Sequence, residues 1–249
     1  MFDESDVSQE KQWLNEQRAQ MAVANIQKRK MNAIYVPNRK EALTAIMAMI
    51  PEGAVVGRAD SVTLEQVGII PALRKNNRNT VTYALERGAD GQFIAKGLQR
   101  GDGPPTKETL QEFDRLVKAP IFADVFLTGT NAVTLDGKLV NTDGFGNRVA
   151  PMIFGPSKVI VIAGTNKIVK DVDEAFERIH TFAAPMNARR HLTKHNQAFH
   201  GELPCVRTGR CVDCRHEYRI CNFTVIIEGT TQHYKGRINV VLVGEELGI

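Results

Sequence analysis

All four cysteines of this 249-residue chain lie in one short segment, PCVRTGRCVDCRHEYRICN at residues 204–222. A C-x2-C step lets two thiolates converge on one metal ion or cluster, and two flanking cysteines complete a four-sulfur ligand set. The segment therefore predicts a metal or iron–sulfur site. Its ligands would be Cys205, Cys211, Cys214 and Cys221.

Three interpretations of this segment remain open: a [4Fe–4S] cluster, a structural zinc ion, and disulfides or free thiols. Structural zinc sites usually contain two C-x2-C pairs, whereas this segment contains one, so the spacing favours the cluster without deciding the question. A positive field is expected to lower the thiol pKa values and to offset the charge of a thiolate-ligated cluster. The arginines that would supply it are Arg207, Arg210, Arg215 and Arg219.

Composition and charge exclude several classes of partner. The amino-terminal stretch MFDESDVSQEKQW is charged and lacks the apolar core of a secretory signal, so we expect a reducing cytoplasm, which argues against disulfides. The longest apolar stretches, such as residues 159–164, are too short to span a membrane. The net charge is only +4, without a basic patch interleaved with aromatic residues, so we expect no nucleic-acid partner.

Short apolar runs alternate with helical patterns along the chain. The alternation predicts an α/β fold, with a mostly parallel sheet covered by helices. The Asp136-Gly137 dipeptide favours a tight hairpin, and the GDGPPT run at 101–106 indicates a flexible insert. Helices are predicted at 5–30, 39–50, 107–118, 171–182 and 188–199, and strands at 33–36, 54–57, 80–83, 124–127, 158–163, 224–227 and 238–243, the last two closing the sheet.

Polar residues follow several predicted strands, at the edge of a parallel sheet where ligands collect. Ser61 stands where an N-cap would, TDGFGNR at 142–148 offers glycines for close backbone approach, and Lys167 could pair with a carboxylate or phosphate. The sequence thus predicts an anion site. Its substrate-binding residues would be Arg58, Ser61, Asn131, Gly144, Asn147, Arg148, Asn166 and Lys167.

Two histidines, His191 and His195, stand one helical turn apart. Such a pair can bind zinc, but the sequence contains no HExxH pattern. We therefore expect these side chains to belong to a solvated basic helix face.

Several separate blocks resemble the lactate-utilisation (LUD) domain family, in its stand-alone branch with a four-cysteine motif. GRADSVTLEQVGI resembles the ligand-side loop of that family. The resemblance runs from about Arg39 onward and divides the chain into an N-terminal helical segment, 1–36, and a LUD-like α/β domain, 37–249, that includes the cysteine loop 204–222. The other blocks are ADVFLTGTNAVTLDGKLVNTDGFGNRVAPMIFGP, VIVIAGTNKIV, AAPMNARRH, the cysteine segment itself and INVVLVGEELG.

This resemblance implies a fold similar to those of ribose-5-phosphate isomerase and CoA transferases, with a small anionic substrate bound over the strand ends. It also implies a part in organic-acid oxidation beside iron–sulfur subunits, and it strengthens the case for a [4Fe–4S] cluster. Fold alone fixes no reaction, so whether the chain is an enzyme stays open.

Three hypotheses about function follow. In the first, the chain is an iron–sulfur oxidoreductase component that binds an organic acid and transfers electrons. In the second, it is a non-redox isomerase or transferase acting on sugar phosphates or acyl-CoA, with structural zinc and with Asp136 or Asp143 as the catalytic base. In the third, it is a non-catalytic sensor or assembly partner of an oxidoreductase subunit. A homodimer is a further expectation.

Overall fold

The computed structural model describes residues 4–82, 85–87, 93–95, 106–195 and 197–249. Apart from Thr106, the predicted insert at 101–106 lies outside these residues, as does Tyr83 of the strand predicted at 80–83. The helices are α1 (Ser8–Lys28), α2 (Arg39–Met49), α3 (Val62–Val67), α4 (Ile69–Asn76), α5 (Lys107–Lys118), α6 (Val149–Ile153), α7 (Val172–Arg178), α8 (Ala184–Lys194) and α9 (Pro204–Thr208). The strands are β1 (Asn32–Val36), β2 (Val55–Arg58), β3 (Thr80–Thr82), β4 (Leu85–Arg87), β5 (Phe93–Ala95), β6 (Val125–Gly129), β7 (Ala132–Thr134), β8 (Leu139–Asp143), β9 (Lys158–Gly164), β10 (Ile168–Val169), β11 (Phe223–Ile227) and β12 (Ile238–Val243).

The main sheet has six strands in the order β1-β12-β9-β6-β2-β3, and every neighbouring pair is parallel. Its central strands are continuous apolar runs because helices cover both faces, and β12 is buried at all six positions. The α/β class and the parallel sheet predicted from the sequence are confirmed. The last two strands do not close this sheet together, because β12 lies inside it and β11 joins a different one.

A second sheet of four strands, in the order β10-β7-β8-β11, stands beside the first. The hairpin between β7 and β8 turns at Gly137, whose φ of +90° is a conformation that favours glycine. A Cβ atom there would also meet the backbone of α1 at 2.6 Å. Strand β11 pairs antiparallel with β8 and thereby fixes the end of the cysteine segment against the TDGFGNR loop.

Helix α1 packs on the main sheet through a stripe of small and branched side chains that includes Ala19, Ala22 and Ile26, all fully buried. These residues belong to the same hydrophobic core as Val161 and Val240 of the sheet. Burial of this stripe is what holds the otherwise polar helix in place. The predicted domain boundary after residue 36 falls between β1 and α2 and stays a prediction.

The helices predicted at 171–182 and 188–199 form one helical run instead. A π-helical turn, Ile179–Ala183, joins α7 to α8, and it directly precedes Pro185, which has no N–H to donate to the preceding turn. Helix α8 ends at Lys194, and Ala198–Glu202 is a 3₁₀-helix, so the second prediction began and ended several residues late. Within the described residues, no helix has the length and apolar character needed to cross a membrane.

Candidate functional site

The candidate site lies at the carboxyl edge of the main sheet, where ligands gather in parallel α/β folds. Arg58 ends β2, Asn131 follows β6, and Lys167 follows β9 in the 3₁₀-turn Thr165–Lys167. Arg148 reaches the same region from the loop between β8 and α6. Three of these residues lie at one edge because β2, β6 and β9 are parallel neighbours, and Arg148 reaches the same edge from the second sheet.

The Arg148 side chain organises this edge. Its Nη2 atom donates to Asn131 Oδ1 at 3.1 Å and to the Thr142 carbonyl at 2.6 Å. Its Nη1 atom donates to Asn141 Oδ1 at 2.6 Å. The Arg148 backbone N–H donates to Asp143 Oδ2 at 3.1 Å. The planar guanidinium thus ties β8, its following loop and the loop after β6 into one unit.

Lys167 is a buried cation with two arginines nearby. Its Nζ donates to Thr63 Oγ1 at 3.0 Å, and only 3% of the residue is exposed. Burial, and to a smaller extent the charges of Arg178 and Arg148, together lower the pKa of Lys167 to about 7. Asp143 offsets part of the charge of Arg148 at 4.0 Å, whereas among the described residues no carboxylate lies within salt-bridge distance of Lys167 or Arg178, so the cluster is suited to a small anion.

We expect the stability of the protein to rise with pH between about 7 and 10 because of Lys167. Its pKa is lower in the folded chain than the ordinary 10.5, so the unfolded chain binds more protons over this range. The contribution is about 1.4 kcal/mol per pH unit at most. Denaturant unfolding of the wild type and Lys167→Met at several pH values measures it, since the variant should lack this slope. Lys170→Met, at an exposed position, is the control and should keep it.

Arg178 connects this cluster to the helical run over the sheet. Its Nε donates to the Asn166 carbonyl at 3.1 Å, and its Nη1 donates to the Asn131 carbonyl at 2.7 Å. The guanidinium also lies 5.3 Å from the ring centre of Phe182. Arg178 is not among the predicted site residues, because nothing in the pattern of a helix indicates which arginine will face a strand end.

The cysteine segment lies directly against the Arg148 loop. Asn222 donates from its backbone N–H to the Asp143 carbonyl at 2.9 Å and from Nδ2 to the Gly144 carbonyl at 3.1 Å. A Cβ atom at Gly144 would lie 3.3 Å from the Ile220 carbonyl, so the absence of a side chain permits this close approach.

A small cavity joins the two parts of the site. Its volume is about 30 Å³, and it is lined by Asn131 and Thr142 from the anion side, by Asn187 of α8, and by Ile220 and Cys221 from the cysteine segment. This volume accommodates about one water molecule. The predicted anion site and the predicted metal site are therefore neighbours.

Arg219 shapes the cysteine loop from within. Its Nη1 donates to the Cys214 carbonyl at 2.6 Å and its Nε to the Cys221 carbonyl at 3.0 Å, while Asp213 pairs with Nη1 at 3.1 Å. Residues 211–216 have neither helix nor strand, and Asp213 adopts a φ of +47°. Because this part of the loop lacks regular secondary structure, the hydrogen bonds of Arg219 are what hold Cys214 and Cys221 near each other.

The thiols of the segment act on one another electrostatically. Burial raises the pKa of Cys205, and the charges of Cys214, Cys221 and Cys211 raise it further. Burial also raises the pKa of Cys221, although Arg219 opposes it. Arg219 lowers the pKa of Cys221 as expected, but burial and the charges of Cys211 and Cys214 outweigh it, and no arginine lowers the pKa of Cys205, so both pKa values are raised.

The spacing of the sulfur atoms bears on the choice of metal. In the described residues, no three of the four cysteine sulfurs lie within 4.8 Å of one another. Tetrahedral zinc with bonds of about 2.3 Å would place the sulfurs about 3.8 Å apart. In a [4Fe–4S] cluster the thiolates bind different iron atoms, so the sulfurs stand further apart.

Other predicted residues occupy more peripheral positions. Arg58 is buried and donates to Glu65 Oε1 at 3.0 Å, and Ser61 is the N-cap residue of α3 without a capping bond from its side chain. Asn147 is half-buried in the turn before α6. Asn166 Oδ1 accepts from the Leu247 N–H at 3.1 Å and so anchors the carboxyl-terminal segment.

Asp136 is separated from this cluster. It lies in the hairpin at the opposite end of β8 from Arg148, where it pairs with Arg29 at 2.7 Å and Lys138 at 3.4 Å. Thr134 Oγ1 also donates to its Oδ1. In this position Asp136 fixes the hairpin to α1, and the geometry gives it no contact with the anion site. Asp143, by contrast, belongs to the Arg148 unit.

The two histidines predicted on a solvated face are instead packed inward. His195 has a side chain that is 3% exposed and lies 3.6 Å from Asp60, and the rings of His191 and His195 are 4.5 Å apart. The prediction was wrong because the helix face that carries them covers the loop after β2, which sequence periodicity alone cannot reveal.

Comparison with known proteins gives a family match over most of the chain. The LUD domain family matches residues 19–243. A DUF162 family protein from Deinococcus radiodurans has a similar crystal structure, with 15% identity, a TM-score of 0.47, and coverage of 92% of this chain and 97% of that one. The eIF2B delta structure from Chaetomium thermophilum is 16% identical, with a TM-score of 0.32 and coverage of 66% and 54%. No curated protein matches the chain.

Proposed function

Because this chain belongs to the LUD domain family, we propose that it binds a [4Fe–4S] cluster and a small organic-acid anion side by side and acts in organic-acid oxidation of the lactate type. The observation that carries the proposal is the shared cavity, in which Asn131 and Thr142 face Cys221. A cluster and an acid bound on its two sides would be close neighbours, as electron transfer between them requires.

The donor set fits the cluster. The charges of Cys211 and Cys214 raise the pKa values of Cys205 and Cys221, so the four thiols lie near one another, and residues 211–216, which carry two of them, have no regular secondary structure to resist adjustment. Arg219 holds two of the cysteine carbonyls, and its charge, with those of the three exposed arginines of the segment, offsets the negative charge of a thiolate-ligated cluster. When bound, the cluster would supply one-electron chemistry.

The cationic cluster is the part of the site that would hold the acid. Protonated Lys167, with Arg178 and Arg148 behind it, attracts a carboxylate, and the bound anion raises the pKa of the lysine again. Near pH 7 Lys167 is present in both protonation states, so it can hold the acid as an ammonium ion or accept a proton as an amine. The cavity reaches this cluster through Asn131, which accepts a hydrogen bond from Arg148, and it has to widen before it admits an acid larger than one water molecule.

The electron count requires a partner. Oxidation of a 2-hydroxy acid to a 2-oxo acid releases two electrons and two protons, whereas one cluster takes one electron at a time. The second electron therefore needs another redox group, and an oxidoreductase subunit is the partner that we propose. Lys167 can receive one of the protons.

Anaerobic purification followed by iron and sulfide analysis tests the cluster, with an expected content of about four of each per chain. Stoichiometric zinc in a colourless protein would contradict it and favour the non-redox hypothesis.

Calorimetry with lactate and pyruvate tests the acid site. We expect Lys167→Met to weaken binding at least tenfold, about the effect of losing one charge-assisted hydrogen bond. Asp136→Asn, at the far end of β8, should leave binding unchanged.

A further inference from the structure

A second group of metal-ligating side chains lies outside the cysteine segment. Asp60, His191 and His195 place one ligand atom each within 4.8 Å of the other two. Asp60 comes from the loop after β2, two residues beyond Arg58, while His191 lies in the last turn of α8 and His195 is the residue that follows that helix. We propose that these three residues bind a divalent first-row transition metal, distinct from the cysteine site.

The chemistry of the donors supports this assignment. Two imidazoles and one carboxylate suit zinc, iron, cobalt and related ions, and three protein ligands leave positions open for water or another oxygen ligand. Gln197 Oε1 accepts from His191 Nδ1 at 2.9 Å, so His191 Nε2 carries the lone pair. Such a bond to the second ring nitrogen is how proteins commonly orient a metal-binding histidine.

A third histidine, outside the group of three ligands, points to a ligand independently. His200 is 4% exposed, its ring centre lies 5.1 Å from that of His191, and its Nδ1 atom is buried without a hydrogen-bond partner among the described residues. A buried polar nitrogen without a partner is costly unless something binds it. Because His200 is not one of the three residues whose ligand atoms lie within 4.8 Å of one another, a water on the metal ion, and not the ion itself, would supply that partner.

The guanidinium of Arg190 lies where the proposed metal ion would bind. Its Nη2 donates to Asp60 Oδ2 at 2.6 Å and its Nη1 to His195 Nε2 at 3.1 Å, so it uses the same electron pairs as a metal ion. Its Nε also donates to Asn187 Oδ1 at 3.0 Å, which gives the side chain a partner outside the group. A metal would enter as the guanidinium withdraws, and Arg190 is therefore a competitor that weakens metal binding.

Titration with Co²⁺ tests the site in the chain as purified with its cysteines loaded. We expect one equivalent to bind with ligand-field absorption and without thiolate-to-cobalt charge-transfer bands. Asp60→Asn and His195→Gln should weaken binding at least tenfold, because each removes a ligand. His180→Gln removes an exposed histidine of the same helical run and should have no effect.

Arg190→Gln separates a metal site from a purely structural ion-pair network. We expect this variant to bind Co²⁺ about tenfold more tightly, since a competing positive charge has gone. Absence of cobalt binding in both the wild type and Arg190→Gln would overturn the proposal. Equal binding by His195→Gln and His180→Gln, or thiolate charge-transfer bands, would overturn it as well. Circular dichroism of each variant establishes that it is folded.

Discussion

Cys214→Ser is expected to reduce the iron and sulfide content of the purified protein at least tenfold. Cys214 belongs to the C-x2-C pair in the middle of the predicted ligand set. A serine hydroxyl is a far poorer iron ligand than a thiolate. The backbone of this residue should stay in place, because Arg219 holds its carbonyl oxygen at 2.6 Å. Loss of iron would then report the missing sulfur atom and not a collapsed loop. Iron and sulfide assays with visible absorption measure the result.

Val212→Ala is the matched control for this variant. Val212 lies between the two cysteines of the pair, is 59% exposed, and offers no ligand atom. It should retain the wild-type iron content, whereas full iron content in Cys214→Ser would place the cluster ligands elsewhere. Loss of iron in both variants together with a lowered unfolding temperature would show that the loop depends on packing at its surface.

Features that depend on residues close in sequence were predictable. The hairpin at Gly137 follows from a dipeptide that tolerates positive φ, and the central strands follow from apolar runs that only a sheet covered on both faces can bury. The ligand set proposed for the cysteine segment rests on a local pattern of the same kind, the C-x2-C spacing, and stays a prediction. Parallel strands place Arg58, Asn131 and Lys167 at one edge of the main sheet, so this part of the convergence follows from the strand pattern, while the anion site itself stays a prediction.

Features that depend on which helix face meets which loop were not predictable. Arg178 and the inward histidines lie on α7 and α8, whose orientation is set by the π-helical turn at Ile179–Ala183 and by packing over the sheet edge. The position of β12 inside the sheet depends on β1 pairing with it across two hundred residues. Burial raises the pKa of Cys205, whereas the sequence led us to expect a lowered pKa. This burial depends on tertiary packing and could not be predicted either.

Arg148→Met is expected to lower the free energy of unfolding by about 3–5 kcal/mol, the usual cost of breaking a buried, hydrogen-bonded charge network. The substitution leaves Asn141 Oδ1 and the Thr142 carbonyl without the donor that each receives now, and it removes the cation beside Asp143. Urea unfolding with the slope compared between variants measures the change.

Arg39→Met is the control for the loss of an arginine, because Arg39 pairs with Glu245 at an exposed position. It should cost no more than about 1 kcal/mol. Arg148→Lys keeps the charge but cannot bridge Asn131, Asn141 and Thr142 together. Its loss of unfolding free energy should therefore lie between that of Arg148→Met and that of Arg39→Met. If Arg148→Met costs as little as the control, Arg148 does not organise the edge. If the cost is as expected, Arg148→Met should also lower the iron content. Arg148 holds the loop whose Asp143 and Gly144 carbonyls accept from Asn222, and Cys221 is the residue before Asn222.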